Sequence, residues 1–288
     1  MPWRGSAVKR RKSKKGLDMN IKKQFQHFFW STFCVIFSFA YCIASEGEIT
    51  PPLYIAHAGG AIENQTYTNS LEALNLNYGK GFRFFEMDFS WTSDSALVAI
   101  HDWGETDTFR QMFYVPPDMT IPTKAQFLQL KSKTGLTQLS LEDVLRWANE
   151  KGDVFIVTDV KNDNVKALQK IDTDFRKYKK YIIPQVYKYK EYYEVKKLGY
   201  SNIILTLYKM KIDPKEVINF ARNNSLFAVT MNERTTQSGL AYYLYRYHTR
   251  VYTHTINDIN FFNSLRKIGV FGIYTDYIAP LNEQPYTK

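Results

Sequence analysis

Glu86 and Asp88 stand two apart in the run Phe84-Phe85-Glu86-Met87-Asp88, so on an extended strand both carboxylates project from one side. Neighbouring carboxylates repel unless a cation or a proton lies between them. The occupant that suits an oxygen-rich pair is a hard divalent cation, Ca²⁺ or Mg²⁺. Asp159, closing Phe155-Ile156-Val157-Thr158-Asp159, offers a third oxygen ligand. Lys161, two residues further on, points the same way and suits a phosphate oxygen as a point charge. His57 and His101 each end a short apolar run, Ile55-Ala56-His57 and Val98-Ala99-Ile100-His101. Imidazoles titrate near neutrality, which suits the pair to act as acid and base on either side of a phosphorus centre. Singly, each residue has a plainer reading: a solvated strand face, a structural strand-end histidine, a surface lysine at a helix start. All of them at strand ends on one side of a scaffold make one site.

The elements that must position these residues follow from periodicity. Short β-branched and aromatic runs occupy Leu53–Ala56, Phe82–Phe89, Leu97–Ile100, Val154–Val160, Tyr181–Val186, Asn202–Leu207, Leu226–Thr230, Arg250–Thr255 and Val270–Thr275. Helical patterns lie between most of them, at Ser70–Tyr78, Ser140–Asn149, Val165–Tyr178, Tyr189–Leu198, Pro214–Asn223, Gly239–Tyr247 and Ile256–Ile268. Such alternation predicts parallel strands with helical crossovers. One interval is too short for a crossover: Phe89 and Leu97 are separated only by Ser90-Trp91-Thr92-Ser93-Asp94-Ser95-Ala96. A parallel connection needs roughly a dozen residues or more, so this interval predicts a hairpin that brings His101 beside Glu86 and Asp88. With the hairpin arm set aside, eight strands remain. The expected fold is α/β, a (β/α)₈ TIM barrel with a β-hairpin insertion after the second strand and the site at the C-terminal ends of its strands. Residues 103–139, with Pro116-Pro117 and Pro122 and no clean period, are expected as a lid or specificity loop. Lys177–Lys197, rich in Tyr and Lys, reads as a strand and a solvated helix rather than a lipid-binding patch.

The 288-residue chain carries a net charge of +10. Nine basic residues and one acid place +8 in residues 1–23, and residues 24–45 carry no charge, which leaves only +2 for 46–288. A basic domain face is absent, and nucleic acid is excluded as the main partner. Behind the basic run, Phe28-Phe29-Trp30-Ser31-Thr32-Phe33-Cys34-Val35-Ile36-Phe37-Ser38-Phe39-Ala40 and the small residues near Ala44 have the form of an export signal. Residues 1–45 are therefore expected as a basic region with a signal peptide or an uncleaved anchor, with 46–288 as the exported domain, periplasmic or extracellular. Met19-Asn20-Ile21-Lys22-Lys23 reads like a natural signal start, so residues 1–18 look like an upstream extension. Both cysteines, Cys34 and Cys42, fall in the leader, so the exported domain has no disulfide.

Several segments follow one another in a familiar order: His57, the helix start Asn69-Ser70-Leu71-Glu72-Ala73, Gly81, Glu86-x-Asp88, the turn Thr92-Ser93-Asp94-Ser95, and His101-Asp102. Leu139-Ser140-Leu141-Glu142-Asp143-Val144-Leu145 precedes Asp159-Val160-Lys161, and Thr255-Ile256-Asn257 precedes Gly269-Val270-Phe271-Gly272-Ile273-Tyr274-Thr275-Asp276. Over roughly residues 53–280 this resembles the glycerophosphodiester phosphodiesterase family, among the phospholipase C-like phosphodiesterase barrels. The resemblance implies His57 and His101 as the acid–base pair and Glu86, Asp88 and Asp159 as ligands of Ca²⁺ or Mg²⁺. It implies Lys161, Asn69 and His254 as phosphate or substrate contacts. The expected reaction is metal-dependent hydrolysis of a glycerophosphodiester or a related phospholipid headgroup diester, by direct attack of water or through a cyclic phosphate. Alternatives are a phosphatidylinositol- or sphingolipid-directed phospholipase in contact with a membrane surface, and a catalytically silent barrel that binds a phosphorylated ligand.

The chain departs from the family pattern at four positions. Ala58 replaces an Arg that helps hold phosphate, and Thr68 replaces a Glu, for which Glu63-Asn64 is the nearest substitute. Asp159 replaces a Glu and is one methylene shorter. His254 replaces a Trp and reads either as a wall of the substrate pocket or as a core or rim histidine.

Overall fold

The computed structural model describes residues 49–104 and 108–280. The chain divides into Met1–Thr50 and Pro51–Lys288, and the architecture below is that of the second unit. The expected leader lies outside the described residues, among which no helix is long and apolar enough to cross a membrane.

All nine expected strands form: β1 (Tyr54–Ala56), β2 (Phe84–Trp91), β3 (Leu97–Ala99), β4 (Phe155–Val160), β5 (Ile182–Val186), β6 (Ile204–Thr206), β7 (Ala228–Asn232), β8 (Val251–His254) and β9 (Gly272–Thr275). Their order is β1-β9-β8-β7-β6-β5-β4-β2-β3, and a further β1–β2 pairing closes the ring. Eight parallel strands therefore make a closed barrel. β3 stands outside it, antiparallel to the upper end of β2 with Phe89 opposite Ala99. The short Phe89–Leu97 interval thus forms the expected hairpin.

Side chains of β2 alternate between two buried environments. Phe85, Met87 and Phe89 join the layer between strands and helices. Phe84 points into the barrel, where its ring lies 4.9 Å from Phe155 and 6.2 Å from Phe227. Tyr252 fills the barrel near β9, and Gly272 is required opposite it: a Cβ there would lie 2.6 Å from the Tyr252 ring. Glu86 and Asp88 share the inward face of Phe84, one and two steps above this apolar plug. The plug excludes water from below, and the carboxylates face the open end.

The helices differ from expectation in detail. Leu141–Lys151 is closed at its start by a reciprocal Ser140/Asp143 capping box and at its end by Gly152 in the left-handed region. The pattern at Val165–Tyr178 splits into the helix Asn164–Asp174 and a 3₁₀ stretch, Arg176–Tyr181. Helical structure expected from Gly239 begins earlier, at Glu233, because the Asn232 side chain caps it by accepting from the Thr235 N–H at 2.9 Å. Gly239 is a kink within it (φ 92°).

The 103–139 segment is not a bare loop. It holds the helices Thr108–Met112 and Lys124–Gln129, and Phe109, Phe113 and Phe127 form a small core with Val98 and Ile100 of the hairpin arm. Trp103 packs its ring against Phe109 and Phe127. The second helix starts with a Thr123/Gln126 capping box, a Thr-x-x-Gln signature readable in the sequence.

The turn after β1 depends on one buried amide. Asn77, on the helix Leu71–Gly79, donates to the carbonyls of Gly59 and Ala61 at 3.1 Å each and of Ala73 at 2.9 Å. Gly60, at φ 83°, leaves the space for it, since a Cβ there would lie 2.5 Å from the amide nitrogen. Asn77→Ala leaves two loop carbonyls buried without donors. It should cost about 2–3 kcal/mol of stability, read as a lower urea midpoint.

Candidate active site

Parallel register builds the centre of the site. β2 and β4 pair with Asp88 level with Asp159 and Glu86 level with Val157. Glu86, Asp88 and Asp159 are all buried, and one carboxylate oxygen of each lies within 4.8 Å of the others. Glu86 Oε2 accepts the Ala58 N–H at 2.8 Å. Asp88 is held by Asn69, whose Nδ2 donates to Asp88 Oδ2 at 3.0 Å and whose Oδ1 accepts the Asp88 N–H at 3.0 Å. Asn69 is fully buried, and both ends of its amide are engaged with Asp88, so it orients that carboxylate.

Asp159 has two phenol partners. The Tyr187 hydroxyl donates to its Oδ1, and the Tyr208 hydroxyl lies 3.0 Å from both carboxylate oxygens. Lys161 lies on the cleft wall but is turned into the cluster, with Nζ 2.6 Å from Asp88 Oδ1 and 2.9 Å from Asp159 Oδ2. Burial disfavours its charge, yet the charges of Asp88 and Asp159 outweigh burial and keep it protonated. Glu86 is pushed well above the usual carboxylate range by burial and by the charge of Asp88. Displacing the Glu86 proton would set three carboxylates against one ammonium, a balance that a divalent cation matches. An oxygen-only donor set fits a hard one.

The histidines flank this cluster, each oriented by a carboxylate. His57 Nδ1–H donates to Asp276 Oδ1 at 2.9 Å. Asp276 is fixed in turn by Asn257, which donates to its Oδ2 and accepts its N–H, both at 2.8 Å. His101 Nδ1–H donates to Asp102 Oδ2 at 2.6 Å, and Asp102 Oδ1 accepts the Gly104 N–H. In both cases Nδ1 is committed and Nε2 is the nitrogen left to act on a ligand. Tyr67 stands between them, with its ring 4.6 Å from that of His57 and 5.3 Å from that of His101. Burial lowers the His57 pKa, but the Asp276 hydrogen bond and the charges of Glu86, Asp276 and Asp88 prevail and hold it at about 9.

This shift is also a stability term. The folded value lies above the unfolded 6.5, so the stabilisation is complete below pH 6.5 and is lost as pH rises through 9. In metal-free protein, Asp276→Asn should remove part of a term on the order of 3 kcal/mol at low pH and flatten the fall between pH 6.5 and 9. Urea midpoints at pH 6 and 9.5 measure this.

His254 lies at the end of β8 on the cleft wall, edge-on to Tyr208 and Tyr274. Burial pushes its pKa down to about 4, so it is neutral at physiological pH, and its Nε2 has no hydrogen-bond partner among the described residues. Ala58 is fully buried with φ 48° and spends its N–H on Glu86, while Glu63 and Asn64 are exposed and outside the cleft lining. The cleft has a volume of about 850 Å³. Asp276, Asn257, Tyr67, Tyr187 and Tyr208 were not assigned roles from sequence. Asp276 carried the same strand-end signal as Asp159. Tyr187 and Tyr208 carried none, because a tyrosine after an apolar run reads as core, and Tyr67 carried none because it lies in a polar loop.

Residues 57–279 match the sequence model of the glycerophosphoryl diester phosphodiesterase family. No curated protein matches the chain. Solved structures share the fold. A glycerophosphodiester phosphodiesterase from Thermotoga maritima is 15% identical with a TM-score of 0.62, over 80% of this chain and 96% of that one. One from Parabacteroides distasonis is 18% identical with a TM-score of 0.61, over 77% and 92%. A phosphodiesterase from Oleispira antarctica, solved with the product sn-glycerol-3-phosphate, is 16% identical with a TM-score of 0.58, over 78% and 93%.

Proposed function

Because this chain belongs to the glycerophosphoryl diester phosphodiesterase family, we propose that its cleft hydrolyses a glycerophosphodiester with the help of a divalent cation, Ca²⁺ or Mg²⁺, held by Glu86, Asp88 and Asp159. The observation that carries this reading is the juxtaposition of the buried carboxylate triad with two histidines whose Nδ1 atoms are each fixed by an aspartate. A cation held there supplies Lewis-acid polarisation of phosphoryl oxygens. His57, as the imidazolium held by Asp276, delivers a proton from Nε2 to the departing alkoxide. His101 takes the proton of the attacking hydroxyl, whether from water or from the glycerol moiety. Asp276 and Asp102 hold the two rings in the required tautomer. Lys161 keeps Asp88 and Asp159 oriented and presents its charge at the cleft wall, and His254, neutral, borders the substrate. The sn-glycerol-3-phosphate bound to the Oleispira antarctica phosphodiesterase supports a small glycerophosphoryl unit as the bound part of the substrate.

One feature favours contact with a lipid surface as well. The 103–139 segment exposes Tyr114, Ile121 and Leu128, with the ammonium groups of Lys131 and Lys133 each 5.5 Å from the Tyr114 ring centre. A panel of glycerophosphocholine, glycerophosphoinositol and phosphatidylinositol vesicles, each with Ca²⁺, Mg²⁺ or chelator, tests both readings. Metal-dependent turnover of the soluble diesters supports the first. Turnover confined to vesicles replaces it with the phospholipase, and binding without turnover replaces it with the silent barrel. Export through residues 1–45 is part of the same proposal, and N-terminal sequencing of the exported protein tests it.

A further inference from the structure

The cleft carries a second cation, Lys209, for which neither the carboxylate cluster nor the acid–base pair has a use. It follows Tyr208 just beyond β6 and lies on the cleft wall with Lys161 and Asn162. Three contacts hold its ammonium at the rim. Nζ donates to the Lys161 carbonyl at 3.0 Å, and it sits 4.2 Å from the centre of the Tyr187 ring and 5.4 Å from that of Tyr208. Among the described residues it has no carboxylate partner, whereas Lys161 has two. A lysine side chain fixed in this way has given up rotamer freedom without an ion pair in return. The contacts also place it outside the carboxylate cluster. Tyr187 reaches Asp159 with its hydroxyl and carries Lys209 on its ring face. Lys209 therefore addresses an atom further out than a phosphorus held at the triad.

The histidines and the lysines reach the one cleft from different strands. His57 follows β1, and His101 follows β3, on the side of β2 away from β4. Lys161 and Lys209 follow β4 and β6, on the other side. A glycerophosphoryl group at the triad leaves much of the 850 Å³ free for the other substituent of the diester.

Resting on the phosphodiesterase reading above, we propose that Lys209 forms an anion subsite that selects diesters whose leaving alcohol carries a second negative group, a carboxylate or a phosphate. An isosteric pair tests it: the sn-glycerol 3-phosphate diesters of 3-hydroxypropanoate and of 3-hydroxypropanamide, which differ in charge and hardly in shape. The full-length wild-type protein should favour the carboxylate diester in kcat/KM by about tenfold or more, as a charge-assisted contact requires. Lys209→Met, which keeps an unbranched stem on Tyr187, should bring the ratio to about one, and Lys209→Arg should retain the preference. Calorimetric Kd values for both diesters on His101→Ala protein, with and without Lys209→Met, should give the same ratios independently of turnover. Equal treatment of the two diesters by the wild type overturns the inference, as does a preference that survives Lys209→Met. So does a loss in Lys209→Met that is equal for both diesters, which would place Lys209 on the reacting phosphate itself. If neither diester is hydrolysed but the Kd ratio holds, the phosphodiesterase reading fails and the anion subsite stands.

Discussion

His57→Ala should lower kcat by about 10²- to 10⁴-fold, the range for loss of a positioned acid or base. Its effect should depend on the leaving group, and that of His101→Ala should not. The hydrogen bond from Nδ1 to Asp276 is the strongest influence raising the His57 pKa, and the proposed mechanism has the ring enter the reaction as an imidazolium. An acid is needed only where the departing alkoxide is basic. On a glycerophosphodiester of an alkyl alcohol the full loss is expected. On a p-nitrophenyl diester, whose leaving group departs unprotonated, His57→Ala should recover most of its activity. His101 faces the nucleophile in the proposed mechanism, so His101→Ala should be impaired on both. Rates of the two variants on the two diesters check the assignment. Equal losses for His57→Ala on both would show that it is not the acid. The double variant should lose far less than the product of the single losses, because both groups serve one transition state.

Glu86→Gln should change stability and activity in opposite directions. Glu86 is buried at 2% exposure beside Asp88, and its ionisation is opposed by burial and by that neighbour's charge. An amide has the same shape and still accepts from the Ala58 N–H, but carries no charge. Metal-free Glu86→Gln protein should therefore be more stable than metal-free wild type, by about 1–3 kcal/mol. With millimolar Ca²⁺ or Mg²⁺ the order should reverse. Wild type gains stability by binding the cation in its folded state, and the variant, with one charged ligand fewer, gains little. Hydrolysis should fall by at least about 10²-fold, as expected when a group that stabilises developing charge is removed. Thermal unfolding with chelator and with each cation, beside the hydrolysis rate, tests both halves. A Tm that ignores the cation in the wild type would remove the metal from the proposal.

Glu86, Asp88 and Asp159 also mark the boundary between what the sequence determined and what required the fold. Period-two patterning put Glu86 and Asp88 on one face of one strand, because strand geometry allows nothing else. The Phe89–Leu97 interval required a hairpin, because no crossover fits in seven residues. Nine apolar runs separated by helical patterns then left the closed barrel and placed His57, Asp159 and Lys161 at its mouth. Each of these conclusions rests on local geometry or on chain length, and both are written in the order of residues.

Register and side-chain reach are not. That Asp88 lies level with Asp159 depends on how the helices seat two strands that are 71 positions apart in sequence at these residues. That Lys161 turns into the carboxylates instead of waiting for phosphate is decided by charges on two strands at once. Packing set Asn69 against Asp88, with both ends of its amide engaged there. Tyr187 and Tyr208 follow the two strands beyond β4 and became partners of Asp159 only when the barrel curved them over it. Their rings in turn hold Lys209 in the cleft. The identity of the reacting groups was therefore local information. Their partners, and the cation the cleft presents beside them, arose only from closure of the barrel, because closure alone brings distant strand ends within hydrogen-bonding distance.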